Sequence, residues 1–465
     1  MQASKAKQTK PDKRQFMTQT PVPKLILTLA GPTIISMLVT GFYNTADTFF
    51  VGQISTQATA AVGLCFTVMA LIQALGFFCG HGSGNYLSRM LGAGNKKEAN
   101  EMASTGFALA LLLGCICAIL GNVFAQPIAG ILGASETTMT DTLAYMRIIL
   151  LGAPFMMGQF VINNQLRFQG SAMYAMVGLM CGAVVNVGLD PLLIFGFHLG
   201  VRGAAIATIS GQFMSFCVLL VGSHQGENIR LALSNVHING HYLYEIINGG
   251  IPSLFRQGLA AVATLLLNHY ASTLGGDAAV AGMSVTTRVL MMMASAMIGF
   301  GQGFQPLCSY NYGAGLKHRV REGFFFCIKY GTVFLLALAS LCILFAPQVI
   351  EWFRKDPEVI AVGTVALRAQ AATMPLLATT TMTNMMLQSC GKGMKASISA
   401  SARSGIFFVP LILILPQIMG ILGVELAQAG ADILSFILAI PLAASELKKM
   451  SGTDQQTTDR QTADR

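Results

Sequence analysis

Two aspartates stand where an aspartate is costly. Asp47 lies in LVTGFYNTADTFFVG and Asp190 in AVVNVGLDPLLIFGF, stretches too apolar for a soluble protein. A charge in the middle of a bilayer costs at least ~2.5 kcal/mol on insertion scales, so such residues handle ions or protons by default. Their neighbours extend the set. Asn186 precedes Asp190 by four residues and shares its helix face, and Tyr43, Asn44 and Asp47 share another by the same spacing rule. Pro191 frees a carbonyl one turn earlier, and Thr208 offers a further oxygen. Carboxylate, amide and hydroxyl oxygens suit a hard cation, here a monovalent one. The same carboxylates, kept from water, suit proton exchange near neutral pH. A competing assignment pairs each acid with an arginine of the apolar stretches: Arg147, Arg256, Arg288 or Arg368.

The elements that must hold these residues are membrane spans. The 465 residues are 53% hydrophobic and only 11% charged, and mean hydropathy is +0.60. An ordinary soluble domain carries roughly 25% charged residues. Twelve apolar stretches, each near the ~20 residues a crossing takes, are expected at 26–50, 58–84, 101–125, 140–164, 172–197, 203–223, 246–274, 279–305, 321–346, 360–388, 396–418 and 421–444. The fold class is therefore an all-α integral membrane protein.

The net charge of +9 is a topology signal and no nucleic-acid footprint. Lys5, Lys7, Lys10, Lys13 and Arg14 precede the first span. Arg89, Lys96 and Lys97 follow the second, Lys317, Arg319 and Arg321 the eighth, Lys392 and Lys395 the tenth, and Lys448 and Lys449 the twelfth. All share one side, whereas the opposite loops hold only Arg202, Arg354 and Lys355. The positive-inside rule puts both termini in the cytoplasm. Residues 1–20 contain no apolar signal-peptide core, and no organelle address is present, so a plasma membrane, specifically a bacterial inner membrane, is the expected location.

The chain repeats itself at a spacing of about 221 residues. GHGSGNYLSRMLGAGNKK from Gly80 matches GQGFQPLCSYNYGAGLKH from Gly301, pairing Gly82 with Gly303, Gly92 with Gly313 and Gly94 with Gly315. The same offset pairs Arg147 with Arg368, Pro154 with Pro375 and Gly170 with Gly391, and small drifts pair Pro32 with Pro252 and Gly200 with Gly423. The expected organisation is a tail (1–24), a six-helix lobe (25–223), a cytoplasmic linker (224–245), a second six-helix lobe (246–445) and a disordered tail (446–465). Six spans per half make a parallel repeat, and transporters of that plan place the substrate site between halves. The glycines of 92–94 and 313–315 follow helices and are expected to be loop punctuation.

The acids are not duplicated. Carried across the repeat, Asp47 lands at Leu266 or Leu267, Asp190 within 411–413 and Asn186 within 407–409. One half keeps a polar pocket that the other lacks. Asp432, in the twelfth span, is either a second ionisable site or, the favoured assignment, a partner of Arg256 or Arg288. Met291, Met292, Met293, Met385 and Met386 are candidates for a soft, adaptable cavity wall. The ten cysteines show no metal-ligand spacing and are expected to pack, and His224, His237 and His241 of the linker fit no common ligand pattern. No cluster of catalytic groups points to an enzyme.

Six segments together carry a resemblance: Pro32 with TGFYNTADTFFVG, ATAAVGL at 58–64, SRMLGAGNKKEA at 88–99, NVGLDPLL at 186–193, GVRGAAIAT at 200–208 and YNYGAGLKHRV at 310–320. Over about residues 20–445 the chain resembles the multidrug and toxic compound extrusion family. The resemblance implies a V-shaped pair of lobes with rocker-type alternating access. It implies export of amphipathic, often cationic, compounds against inward Na+ or H+, with no cofactor beyond that ion. In members with the coupling site in the N-terminal lobe, the residues matching Asp47, Asn186, Asp190 and Thr208 form it, and Pro32, Thr40, Tyr145 and Asn163 match supporting positions. Thr40 departs from the glutamine of such members, and Phe160 from an asparagine. Other members carry an acid on helix 7; IPSLFRQGLAAVATLLLNHYAS has none. The expected partners are small amphipathic or cationic drugs and the lipid bilayer, with no nucleic acid, and the expected state is a monomer. The alternatives are a lipid-linked precursor flippase of the same superfamily, which the interior arginines would suit, and a major-facilitator antiporter. The charged signature of the latter is missing from SRMLGAGNKKEA.

Overall fold

The computed structural model describes residues 12–463, apart from the side chains of Asn44 and of 452–463. Among the described residues every regular element is helical. Apolar segments in lipid must satisfy their backbone polar groups internally, and a helix does so within one segment. The first lobe comprises α1 (Val22–Gly52), α2 (Thr56–Gly92), α3 (Lys96–Val123), α4 (Met139–Phe168), α5 (Ala172–Gly196, ending in a π turn) and α6 (Val201–Ser223). In the second, α7 (240–275) and α8 (277–313) form one 74-residue run divided at Gly276, whose φ of 62° favours glycine. There follow α9 (Lys317–Leu344), α10 (Pro357–Thr373 with Leu376–Ser389, bent by 54°), α11 (Gly393–Met419) and α12 (Ile421–Ala463). Among the described residues ten helices are long and apolar enough to cross a membrane. The bent pair makes an eleventh crossing and the division at Gly276 a twelfth.

The duplication is legible in the turns. Gly94 and Gly315, and Gly170 and Gly391, all have positive φ at the ends of matching helices. The structural counterpart of Gly200 (φ 55°) is Gly420 (φ 61°), however, and not Gly423. Gly423 matches Gly203: each lies against a carbonyl of the preceding helix, Leu415 and Leu193 respectively. Pro154 leaves α4 continuous, whereas its counterpart Pro375 sits at the bend of α10.

Three boundaries differ from the sequence-based organisation. The start of α1 packs across the lobes: Val22, Leu25, Ile26 and Leu29, with Met17 of the short helix Lys13–Gln19, share a core with Phe304, Leu307 and Phe324. The linker ends at Asn239, where an Asn side chain caps α7 through the Tyr242 N–H. It is docked on the first lobe: the Ile229 N–H donates to Gln169 Oε1 (2.7 Å) and the His237 N–H to Thr105 Oγ1 (3.0 Å). The segment from 446, expected to be disordered, continues α12 to Ala463. Glu446 anchors its beginning by accepting from Lys395 (2.6 Å) and Lys449 (3.3 Å). Lys5, Lys7 and Lys10 lie outside the described residues.

The lobes meet at the end that carries the basic loops. A methyl group added at Gly92 would fall on the Tyr310 carbonyl, and one at Gly313 on the Arg89 carbonyl. These are reciprocal contacts at the repeat's own 221-residue offset. Gly82 lies in the same way against the Ile246 carbonyl, Gly250 against that of Phe78, and Gly303 against Ala30 Cα. The glycines of 92–94 and 313–315 are therefore more than punctuation: Gly92 and Gly313 let two helix backbones touch. Ion pairing follows the same seam. Arg89 Nη2 of α2 lies 2.7 Å from Glu245 of α7, and its Nη1 donates to the Ser389 carbonyl of α10 (3.2 Å). At the far end Gly52, Gly63 and Gly276 face open space. The two lobes are thus held in backbone contact at the basic end.

Candidate functional site

Close approach of α5 and α6 sets the site. Gly182 and Gly211 face each other's carbonyls, and a methyl at Gly211 would stand 2.9 Å from Asn186 Cβ. That contact brings Thr208 of α6 beside Asn186 and Asp190 of α5. Asp47 of α1 comes near enough to Asp190 for the two charges to act on each other. Tyr145 of α4 lies within reach of both acids; its hydroxyl donates to Met69 Sδ (3.8 Å), and Thr208 Oγ1 donates to the Ala204 carbonyl (3.0 Å). Asp47 is 4% exposed and Asp190 fully buried. Neither oxygen of Asp190, neither amide atom of Asn186, nor Asp47 Oδ1 has a hydrogen-bond partner within the protein. Among the described residues no arginine or lysine pairs with either acid, which removes the assignment to Arg147, Arg256, Arg288 or Arg368.

Buried carboxylates without a cationic partner demand either a proton or a cation, since an isolated ionised carboxylate in low dielectric is very costly. Oxygens from Asp47, Asn186, Asp190 and Thr208 form a hard donor set that a small cation fits. Asp47 is five residues from the end of α1 and Asp190 six from the end of α5, about 8–9 Å along the axis.

A cavity between the lobes lies against this cluster, lined by Thr40, Tyr43, Asn163, Asn186, Thr208 and Gln212 of the first lobe and by Arg256 and Gln302 of the second, among others. Tyr43 lies near both Gln212 and Asp47. Asn163 donates to the Ala175 carbonyl (3.0 Å), and Thr40 Oγ1 bonds back to the Ser36 carbonyl (2.8 Å). The Asn44 side chain lies outside the described residues. Pro32 does not join the cluster: it stands fifteen residues before Asp47, at the level where Gly299 meets Ile34. Its own carbonyl accepts from Ser36 (2.8 Å).

A second chamber occupies the other lobe and shares Arg256, Gln257 and Ile298 with the first. Asp432 lines it, but its partner is Arg403, at 2.7 Å, and neither Arg256 nor Arg288. Thr373 (3.3 Å) and Gln428 (2.9 Å) also donate to Asp432. Arg403 lies on α11, one of the helices beside α12, so the nearer guanidinium satisfies the acid. Of the expected methionine wall, Met291 and Met385 line this chamber, while Met293 and Met386 are buried in the core.

Sequence reasoning passed over Arg167. It is 5% exposed at the end of α4 and donates to Asn164 in its own lobe and to Gln302 across the interface. The polar run NNQLRF at 163–168, inside an otherwise apolar helix, was its signal. Among the described residues no group of His, Cys, Asp and Glu is arranged to hold a metal, the linker histidines included.

The family model MatE matches residues 32–192 and 252–414. The "Multidrug export protein MepA" of Staphylococcus haemolyticus is 27% identical over 427 residues, covering 91% of this chain and 94% of that protein. The protein of the same name from Staphylococcus aureus is 27% identical over 438 residues, covering 93% and 95%. Two solved structures superpose closely. One is an outward-facing multidrug resistance MATE transporter of the MOP superfamily (TM-score 0.89, 26% identity, 96% of this chain and 100% of that one). The other is a MOP superfamily transporter from Pyrococcus furiosus, described as having reversed binding-pocket polarity (TM-score 0.88, 26% identity, 95% and 99%).

Proposed function

This chain belongs to the MatE family, and from that premise we propose that it is a secondary active multidrug exporter, moving amphipathic and cationic organic compounds outward against inward Na+ or H+. Its relatives and structural neighbours are transporters and not enzymes. The observation that carries the reading is the Asp47–Asp190 pair, buried, without a basic partner, present in one lobe only and placed beside the interlobe cavity. Asp47, Asn186, Asp190 and Thr208 take the coupling ion, with Tyr145 close to both acids.

The basic residues at the closed end support a cytoplasmic position for it, with both termini inside and the cavity open outward. In this state a compound held between the lobes faces the exterior. Na+ or H+ entering from outside neutralises Asp47 and Asp190, and their mutual repulsion falls. α1 then bends near Pro32, where one backbone hydrogen bond is already missing. The narrowed cavity releases the compound, the lobes rock to open the basic end, and the ion leaves to the cytoplasm. A cation crossing 100 mV supplies about 2.3 kcal/mol, enough to concentrate a neutral compound roughly fiftyfold.

The test is efflux of a fluorescent amphipathic cation from proteoliposomes holding the purified chain, with Na+ and pH gradients imposed separately. Asp190→Asn keeps the side-chain volume and removes the charge. Gradient-driven efflux is expected to vanish in the variant under whichever gradient drives the intact protein. Efflux equal to that of the intact protein removes Asp190 from coupling.

A further inference from the structure

Charge is not balanced inside the cavity. In the second chamber Arg403 is neutralised by Asp432 at 2.7 Å. Arg256, on the wall common to both chambers, has no such partner. Its Nη1 donates to Asn384 Oδ1 at 3.2 Å, a neutral acceptor, and among the described residues no carboxylate lies within ion-pair distance of it. A guanidinium has five N–H donors in a planar fork. The other groups lining the chamber are neutral apart from the Arg403–Asp432 pair, whose charges offset each other. Arg167 adds positive potential nearby, since it and Arg256 both act on the buried His81. Nothing at this point of the cavity welcomes a bare cation, whereas a planar oxyanion would find a preformed fork in low dielectric.

We propose that Arg256 is a specificity-determining residue that receives an oxyanion, a carboxylate above all, carried by the exported compound. Zwitterionic amphiphiles would then be favoured over their esters. The proposal rests on the export reading and narrows its substrate class. A second source of the same chemistry is the phosphate of a lipid headgroup.

The experiment uses the purified full chain in phosphatidylcholine nanodiscs and two probes, a xanthene dye with a free carboxylate and the methyl ester of the same dye. Equilibrium binding is read by fluorescence polarisation. The quantity is the ratio of the two Kd values. A charge-assisted hydrogen-bonded pair corresponds to about tenfold or more, so Arg256→Gln should reduce the acid-over-ester preference by about that factor. Arg256→Lys keeps the charge, loses the fork and should keep part of the preference, which guards against a variant that merely folds poorly. A preference unchanged in both variants, with the intact chain binding both dyes, overturns the proposal and leaves the export reading standing. If the intact chain binds neither dye, the export reading fails and takes the proposal with it. A short-chain phosphatidic acid arm separates the sources: selective displacement of the acid dye by low concentrations of that lipid assigns the fork to headgroups and overturns the assignment to exported compounds.

Discussion

Replacing Gly313 by alanine should open the closed end of the molecule. The new methyl would be driven into the Arg89 carbonyl, with Arg89 Cα at 2.7 Å, and every atom it meets is backbone. Carbon atoms pack at about 3.5–4.0 Å, so α2 and α8 must move apart by roughly 1 Å. No rotamer change relieves the clash, because no side chain is involved. Overpacking of this kind costs about 1–3 kcal/mol, which shifts a two-state balance by roughly five- to 150-fold. Gly92→Ala makes the mirror-image clash with the Tyr310 carbonyl and should behave alike. Gly276 faces open space and offers a control position, though its positive φ confines the effect to local strain. The assay is an electron–electron distance measurement in nanodiscs between spin-labelled noncanonical residues at positions 96 and 318, both on exposed sites of the basic end. The distance distribution should broaden and move outward in each alanine variant. Distributions indistinguishable from the parent, in protein with normal thermal stability, would refute the claim that backbone contact at these glycines forms the seal.

The same seam holds Arg89 and Glu245, both less than a fifth exposed. Glu245→Gln should weaken the closed state by about 1–3 kcal/mol, and a double-mutant cycle with Arg89→Gln should show coupling in the same distance assay; additive effects would argue that the pair is idle. Asp432 and Arg403 form a pair that is one-sidedly buried, 6% and 34% exposed. Asp432→Asn should therefore lower the Tm, while replacing both by leucine and methionine should recover most of the loss; a double variant less stable than either single one would contradict this. Lys13, outside the spans, is held down to about 8 by burial, with Glu227 pulling the other way, against an ordinary 10.5. The docked lysine binds its proton less tightly than a free one. Docking of the helix Lys13–Gln19 should strengthen as pH rises from about 8 to 10.5, and be weakest and flat below 8. An environment-sensitive probe at Gln15 reads this, and the slope should disappear in Lys13→Met.

The apolar helices and the duplication were open to sequence reasoning because each depends on local quantities. Length and apolarity decide whether a segment enters lipid, and a repeat is self-similarity along the chain. The candidate residues Asp47, Asn186, Asp190 and Thr208 were legible for the same reason: polar groups in apolar helices are costly wherever the helices end up. What pairs with what was not legible. Asp432 takes Arg403 rather than Arg256 or Arg288, Gly92 and Gly313 touch the opposite lobe's backbone, and the first turns of α1 pack in the second lobe's core. Each is set by how helices far apart in sequence cross one another. Spacing along one helix fixes which residues share a face, but the faces that meet are chosen by the packing of all twelve. Only the assembled bundle could leave Asp190 buried without a partner and Arg256 facing the cavity with a single neutral one.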